Sequence, residues 1–520
     1  MDPLLSALQE PTLYDYPVKT FRVVETHISW VLLTGRYAYK IKKPVNFGFA
    51  DFSSLERRRF YCQEEVRLNR RLAPTIYLSV LPVTGSRERP RWDQGGGAIE
   101  YAVKMREFAH HDLLSAVAVE GRLESVHIDE LAATIAVFHN NLESVSPSSS
   151  YGLPETVHHW TRENFRHIRP VLDSSRARTE LALLERWTEQ EFGHRRAQIQ
   201  ARKMQGFVRE CHGDLHLGNI TLVDGRVTPF DCIEFNAELR LIDVMSEISF
   251  LIMDLRDRGY PQYACRFING YLAHTGDYAG VSVLRYYLVY RALVRAKVAV
   301  LRLAEGRLAA TEASALRKEY QGYVQLALSF SQEYRPALII THGVSGSGKS
   351  TVVAELVQHL GAIHIRSDVE RKRLFGLNPH ADTGSRLGNN IYTADRTRAT
   401  YDRLASAAGS VLDFGWPVVV DATFLKKAQR VEFQTLAQNS AVPFLILDFW
   451  APESVLRQRV VRRHAEGRDV SEAGVEVLDS QLRAQEPLTG AEQRQSFRVD
   501  TGAAFAIDAL ADKIIHEMRK

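Results

Sequence analysis

Residues 211–220 read CHGDLHLGNI, and the reading of this stretch decides the fold of everything around it. Cys211, His212, Asp214 and His216 fall within six positions, a set of side chains that can ligate metal. Structural zinc needs four such ligands within tetrahedral reach. Cys211 and His212 are neighbours and would project to opposite sides of a strand. Gly213 works against a helical pairing of His212 with His216, and no second Cys/His cluster completes a set. Cys62, Cys211, Cys232 and Cys265 show no CxxC spacing, so neither a zinc ribbon nor a disulfide framework is indicated. Asp214 followed by Asn219 points elsewhere. Two oxygen-bearing side chains on a loop suit a proton acceptor and a ligand for a hard cation.

Working outward, the downstream "ITLVDGRV" reads as a strand and turn leading to "PFDCIEF", which carries a further carboxylate, Asp231. Upstream, "FRVVETHISWVLL" and "YAYKIKK" read as strands and "SSLERRRFYCQEEVRLNRRL" as a helix capped by Ser53 or Ser54. "TIYLSVLPV" and "AIEYAVKMREF" are two further strands around Gly95–Gly97. From His127 the spacing turns helical, with a Pro/Ser-rich break at "SVSPSSSYGLP". Arg291, Arg295 and Lys297 lie on one of these helices and are expected on a solvated face. Arg335-Pro336 closes the helical region, and strands and helices alternate from there to the end.

The second decisive stretch is "GVSGSGKS", which matches G-x-x-x-x-G-K-[ST] between the apolar strand "ALIITHG" and the helix "STVVAELVQHL". Glycines let backbone N–H groups turn inward around phosphate oxygens, and the helix N-terminus adds partial positive charge. Gly343, Ser345, Gly346, Ser347, Gly348, Lys349, Ser350 and Thr351 form the expected cradle. In this motif Lys349 is expected to neutralise the β- and γ-phosphates of ATP and the Ser350 hydroxyl to serve Mg²⁺. Asp368, three residues before Arg371, is the candidate proton acceptor, and Asp421 at the end of "PVVVD" a further carboxylate for Mg²⁺. Arg459, Arg463 and Arg468 lie in an Arg-dense stretch that could close over a phosphoryl group, although any single one reads better as part of a solvated basic helix.

These features resemble two families. Residues 337–520 are similar to the small P-loop kinases, which include polynucleotide 5′-hydroxyl kinases, gluconate-type kinases and zeta-toxin-like kinases. The carriers are the phosphate loop, the "SD..R" element and "VVVDATF". Residues 20–330 resemble the aminoglycoside phosphotransferase family, a branch of the protein-kinase-like fold. His212-Gly213-Asp214 with Asn219 matches the kinase catalytic-loop pattern, and Asp231 stands where the D-F-G aspartate would. The resemblance implies that Asp214 takes the hydroxyl proton, that Asn219 and Asp231 hold Mg²⁺, that His216 supports the loop and that Asp243 anchors it. It also calls for a Lys–Glu pair on the ATP phosphates. Lys40 and Lys42 share one strand face and Glu64 and Glu65 are adjacent, so the sequence does not settle the pair, although the V-A-I-K-like "AYK" favours Lys40 and Glu65 is preferred. "KMREF" at 104–108 is the expected hinge. No G-x-G-x-x-G precedes Lys40.

The expected architecture is therefore an α+β bilobal, protein-kinase-like N-terminal region followed by an α/β three-layer P-loop domain with a parallel sheet. The boundaries are 1–108 for the N-lobe, 109–335 for the helical C-lobe with the catalytic loop, and 336–520 for the P-loop kinase domain. The expected function is a double ATP- and Mg²⁺-dependent kinase acting on hydroxyls of small molecules such as sugars or amino sugars. Two alternatives stand beside it: a polynucleotide 5′-hydroxyl kinase in the P-loop half, or one half acting as a nucleotide-dependent regulatory module. Across 520 residues the net charge is only +4, too mild to favour a long nucleic-acid groove. No apolar run of about 18 residues and no signal-peptide pattern is present, so a cytoplasmic protein without a membrane partner is expected. Acceptor and oligomeric state are not encoded in any motif.

Overall fold

The computed structural model describes residues 2–46, 48, 50–93, 95–172, 174–304, 308–332, 335–377, 393–466, 474–503 and 505–519, without the side chains at 394 and 463–466. The chain forms two compact units. One comprises Met1–Leu131, Val137–Glu163 and Ile199–Asp254; the other comprises Ala132–Ala136, Asn164–Gln198 and Leu255–Lys520.

In the first unit, alternation of side chains builds an antiparallel sheet. Its strands are β1 (Arg22–Glu25), β2 (Ser29–Leu33), β3 (Tyr37–Lys42), β4 (Tyr77–Gly85), β5 (Pro90–Arg91) and β6 (Glu100–Arg106). Their order is β1-β2-β3-β6-β4-β5. One face carries Leu32, Tyr39, Ile41, Val83 and Ala102 and is covered by Leu4, Leu5 and Leu8. The other carries Ala38, Tyr77, Val103 and Met105 against Cys62 and Val66 of the helix Leu55–Asn69. Ser54 caps that helix, its Oγ accepting the Arg57 N–H at 3.2 Å. Period two places Lys40 and Lys42 on the helix-facing side with Ala38.

Further along, β7 (Val208–Glu210) pairs antiparallel with β10 (Leu241–Asp243). Between them lies the hairpin β8 (Ile220–Val223) and β9 (Arg226–Pro229), turned by Asp224 and Gly225, both at positive φ. The Cys211–Asn219 loop is thereby held at two strand ends.

The second unit contains a parallel sheet of β11 (Leu338–His342), β12 (Ile363–Arg366), β13 (Val418–Asp421), β14 (Phe444–Trp450) and β15 (Ser496–Asp500). The order is β12-β13-β11-β14-β15. β11 and β13 are buried along their whole length, as a sheet covered on both faces requires. Val353, Leu356 and Val357 of the helix Lys349–Leu360 pack on Ile339, Val419 and Leu447. The edge strand β12 is capped from outside by the helix Pro261–Thr275. The Asn269 carboxamide donates to Ala362 O at 2.9 Å and accepts the His364 N–H at 2.7 Å, bonding the edge as a neighbouring strand would. Trp416 Nε1 donates to Val281 O at 3.2 Å on the following helix, Val281–Ala304. Arg291 of that helix is buried, not solvated as expected, with its guanidinium 5.2 Å from the Tyr290 ring centroid. Arg295 reaches Tyr323 and Glu319.

Candidate active sites

The question left open between Lys40 and Lys42 resolves into a shared carboxylate. Lys40 Nζ lies 2.8 Å from Glu65 Oε1, and Lys42 Nζ lies 2.7 Å from Glu65 Oε2. Glu64, on the adjacent helix position, turns to Arg67 at 2.8 Å. Lys40 Nζ also reaches Asp231 Oδ1 at 2.6 Å, whereas fully buried Lys42 bonds to Glu234. Two lysines and three carboxylates thus tie β3, the helix Leu55–Asn69 and the Asp231–Glu234 loop into one circuit. Burial would raise the Glu65 carboxyl, but Lys40 and Lys42 overcome it and hold the group at about 2. Burial pushes the Glu234 carboxyl up against the pull of Lys42.

Asp231 sits at φ 64°, a left-handed conformation uncommon for a non-glycine residue. It is held there on both sides. Its N–H donates to the Tyr77 hydroxyl at 3.1 Å, and the next N–H, that of Cys232, donates to Asn69 Oδ1 at 2.8 Å. Asn219 Nδ2 donates to Asp214 Oδ2 at 2.8 Å, which leaves its amide oxygen for other partners. Asn219 O accepts the Phe230 N–H at 2.9 Å, which brings Asn219 and Asp231 to the same loop edge. The Asp214 and Asp231 side chains are 36% and 40% exposed, so both carboxylates are open to solvent beside a buried lysine–carboxylate circuit. Oxygen donors of this kind fit Mg²⁺.

The loop's support differs from expectation in one respect. Asp243 does not hold it; its carboxylate is taken by Arg202 at 2.7 and 2.8 Å. Glu247 does so instead, accepting the His212 N–H at 2.6 Å and the Gly213 N–H at 2.9 Å. Asp254 accepts the Leu217 N–H at 2.9 Å. His212 Nε2 bonds to Phe230 O at 2.7 Å, and His216 Nδ1 accepts the Gly218 N–H at 3.1 Å while its Nε2 lies 3.4 Å from Asp214. Both histidines therefore brace the loop. Gly213 has φ +90°, and a Cβ there would stand 2.9 Å from Leu239 O.

Cys211 does gather with His139 and Glu247 into a buried trio whose ligand atoms lie within 4.8 Å of one another. Its surroundings do not suit a cation. Both Glu247 oxygens already hold backbone N–H groups. Arg209 and Arg71 stand beside His139 and put positive charge where a cation would sit. Burial keeps the Cys211 thiol protonated by driving its pKa well up.

In the second unit the phosphate loop follows β11. Gly343 and Gly346 sit at φ +140° and +81°, where a Cβ would meet Phe449 O at 2.7 Å and Leu456 O at 2.8 Å. Lys349 Nζ donates to Gly343 O at 2.9 Å and Val344 O at 2.8 Å, which draws the ammonium across the loop. Ser350 and Thr351 occupy the first turn of the helix Lys349–Leu360. Asp421, buried at the end of β13, lies 3.5 Å from His364 Nε2. Burial would raise its carboxyl; His364, Arg366 and Lys349 hold it at about 2. An anionic carboxylate near the loop lysine is a chemically fitting Mg²⁺ partner for Ser350. Asp368 and Arg371 share the helix Ser367–Leu374, half-buried and buried respectively, and Arg371 reaches Thr397 Oγ1 at 3.4 Å. Arg459 donates to Thr501 Oγ1 at 2.8 Å, Thr501 O at 2.7 Å and Gly346 O at 3.4 Å, so it lies against the loop backbone. The Arg463 side chain and Arg468 lie outside the described residues.

Sequence reasoning did not find Glu234, Glu247, Asp254 or His364. Glu247 and Asp254 carried a usable signal: a lone acid in the apolar runs "VMSEISFL" and "LIMDL" is seldom there without a buried partner.

Residues 338–488 match a family model described as an AAA domain. An uncharacterized protein of Mycobacterium tuberculosis (strain ATCC 25618 / H37Rv) is 29% identical over 449 residues, covering 86% of this chain and 87% of the relative. Among solved structures, a choline kinase from Cryptosporidium parvum Iowa II is 11% identical, covers 63% of this chain and 94% of its own, and has a TM-score of 0.39. A gluconokinase from Sinorhizobium meliloti 1021 is 22% identical, covers 36% and 93%, and has a TM-score of 0.25. Among the described residues no helix is long and apolar enough to cross a membrane.

Proposed function

We propose that this chain is a double phosphotransferase. Each of two centres would transfer the γ-phosphoryl group of ATP, with Mg²⁺, to a hydroxyl of a small molecule such as a sugar or amino sugar. The observation that carries the reading is the circuit of Lys40, Glu65 and Asp231. A lysine held between a helix carboxylate and an exposed, left-handed loop aspartate supports a protein-kinase-like centre, in which such a lysine serves phosphate and such an aspartate the metal.

In the first centre, Lys40 rather than Lys42 contacts phosphate, because Lys42 is fully enclosed. Asn219 and Asp231 hold the metal, which would neutralise charge on the phosphates. Asp214 accepts the acceptor's proton, oriented by Asn219 Nδ2. In the second centre the Gly343–Ser350 loop surrounds phosphate, Lys349 neutralises it, Ser350 and Asp421 serve the metal, and Asp368 takes the proton. Both centres act by positioning and charge neutralisation.

The test is a panel of sugars, amino sugars, nucleosides, aminoglycosides and an oligonucleotide 5′ end, assayed for ATP-dependent phosphorylation with one centre disabled at a time. Asp214→Asn and Lys349→Met should each abolish one transfer and spare the other. Loss of both transfers from either single change would refute independent centres.

A further inference from the structure

The helix Val475–Ala484 and the residue after it place two glutamines, Gln481 and Gln485, one turn apart beside the phosphate loop. Gln481 Oε1 accepts the Ser345 N–H at 2.7 Å. Gln485 Nε2 lies 3.4 Å from His342 Nε2, and His342 Nδ1 lies 2.7 Å from Asp448 Oδ1. The chain then anchors beyond this point. Glu486 N–H donates to Leu425 O at 2.9 Å, and Arg430 bonds to Glu486 O, Pro487 O and Glu492. The glutamine side chains thus face the loop from a segment fixed to the Asp421–Leu425 turn.

A phosphate loop binds through its N–H groups, each of which satisfies one acceptor well. Two other donors of this loop go to backbone carbonyls: Gly343 N–H to Thr423 O beyond β13, and Ser347 N–H to Val344 O within the loop. The N–H of Ser345, a residue only 8% exposed, instead goes to a side chain, that of Gln481. A nucleotide phosphate oxygen and the Gln481 carboxamide oxygen are alternative acceptors for that one donor. We infer that Gln481 is a built-in competitor of nucleotide, which sets affinity at the phosphate loop through its side chain alone, the helix Val475–Ala484 staying packed through Leu478 on Val344, Leu425 and Leu456. This rests on the reading of Gly343–Ser350 as a nucleotide site.

The experiment is titration of the full chain with ADP and Mg²⁺ by calorimetry, the site being defined as the one lost on Lys349→Met. Gln481→Ala should tighten binding there by about threefold to tenfold, the worth of one neutral hydrogen bond no longer competing. Gln481→Glu should weaken it, because a carboxylate accepts the N–H more strongly and repels phosphate. Gln481→Met, which keeps the bulk without the acceptor, should match the alanine variant and covers the case in which alanine disturbs the helix. Opposite signs for Ala and Glu support competition; unchanged or weaker binding in both Ala and Met overturns it. Wild-type protein with no binding lost on Lys349→Met would overturn the nucleotide-site reading, and the competitor with it.

Discussion

Lys42→Met tests the buried circuit most directly. The Lys42 side chain has no exposed surface, and its ammonium serves Glu65 Oε2 at 2.7 Å and Glu234. Methionine keeps most of the volume and removes the charge. Two buried carboxylates then remain with Lys40 as their shared cation. Removing one partner of a buried ion pair costs about 3–5 kcal/mol. The Glu65 carboxyl shows the scale of the attraction that Lys40 and Lys42 supply together, of which Lys42 is one part. Its descent from 4.5 to about 2, at roughly 1.4 kcal/mol per unit, is roughly 3 kcal/mol of attraction net of burial. For a unit of this size each kcal/mol moves the melting temperature by about 2–4 °C, so calorimetry of the full chain should show the first unit melting roughly 6–20 °C lower. The pH dependence has a definite sign. In the wild type Glu65 contributes stability above its unfolded value near 4.5 and loses it as pH falls towards 2. In the variant an unpaired carboxylate is a penalty above that value, and protonation removes it. The difference between variant and wild type should therefore shrink as pH is lowered from 7.5 to 5, and Glu234→Gln added to Lys42→Met should recover part of the loss. A Lys42→Met protein melting within about 3 °C of wild type at pH 7.5, or a gap that does not narrow, would refute the reasoning.

Glu247→Gln should cost about 1–3 kcal/mol in urea unfolding, because a carboxamide has one acceptor oxygen for the His212 and Gly213 N–H groups. Asn269→Leu leaves Ala362 O and the His364 N–H without their carboxamide and should destabilise the second unit by about 2 kcal/mol or more, read as an earlier melting transition. A fragment beginning at residue 336 loses the helix Pro261–Thr275 that covers the β12 edge; it should melt below the second unit of the full chain and aggregate faster by light scattering. Equal melting of fragment and full chain would show that the edge needs no cover.

Much of the fold was legible where a short segment carries its own instruction. Alternation over Tyr37–Lys42 puts both lysines on one strand face, and the glycines of Gly343–Gly348 permit a loop that β-carbons would block. The strand before that loop and the helix after it follow from periodicity alone. The candidate site was legible to the same depth. Residue type and spacing single out Asp214, Asn219 and Asp231 without saying what holds them.

The sequence by itself determined the local chemistry: which residues can donate oxygen to a cation, accept a proton or surround a phosphate, and which lie on a strand, a turn or a helix start. Tertiary structure decided the partners. That Glu65 serves two lysines while Glu64 turns to Arg67, that Glu247 and not Asp243 holds the Cys211–Asn219 loop, and that Gln481 meets Ser345 from 136 positions away are outcomes of packing. The physical reason is range. Periodicity and backbone propensity act over a few residues, whereas a buried charge or polar group must find its counterpart wherever the folded chain brings one.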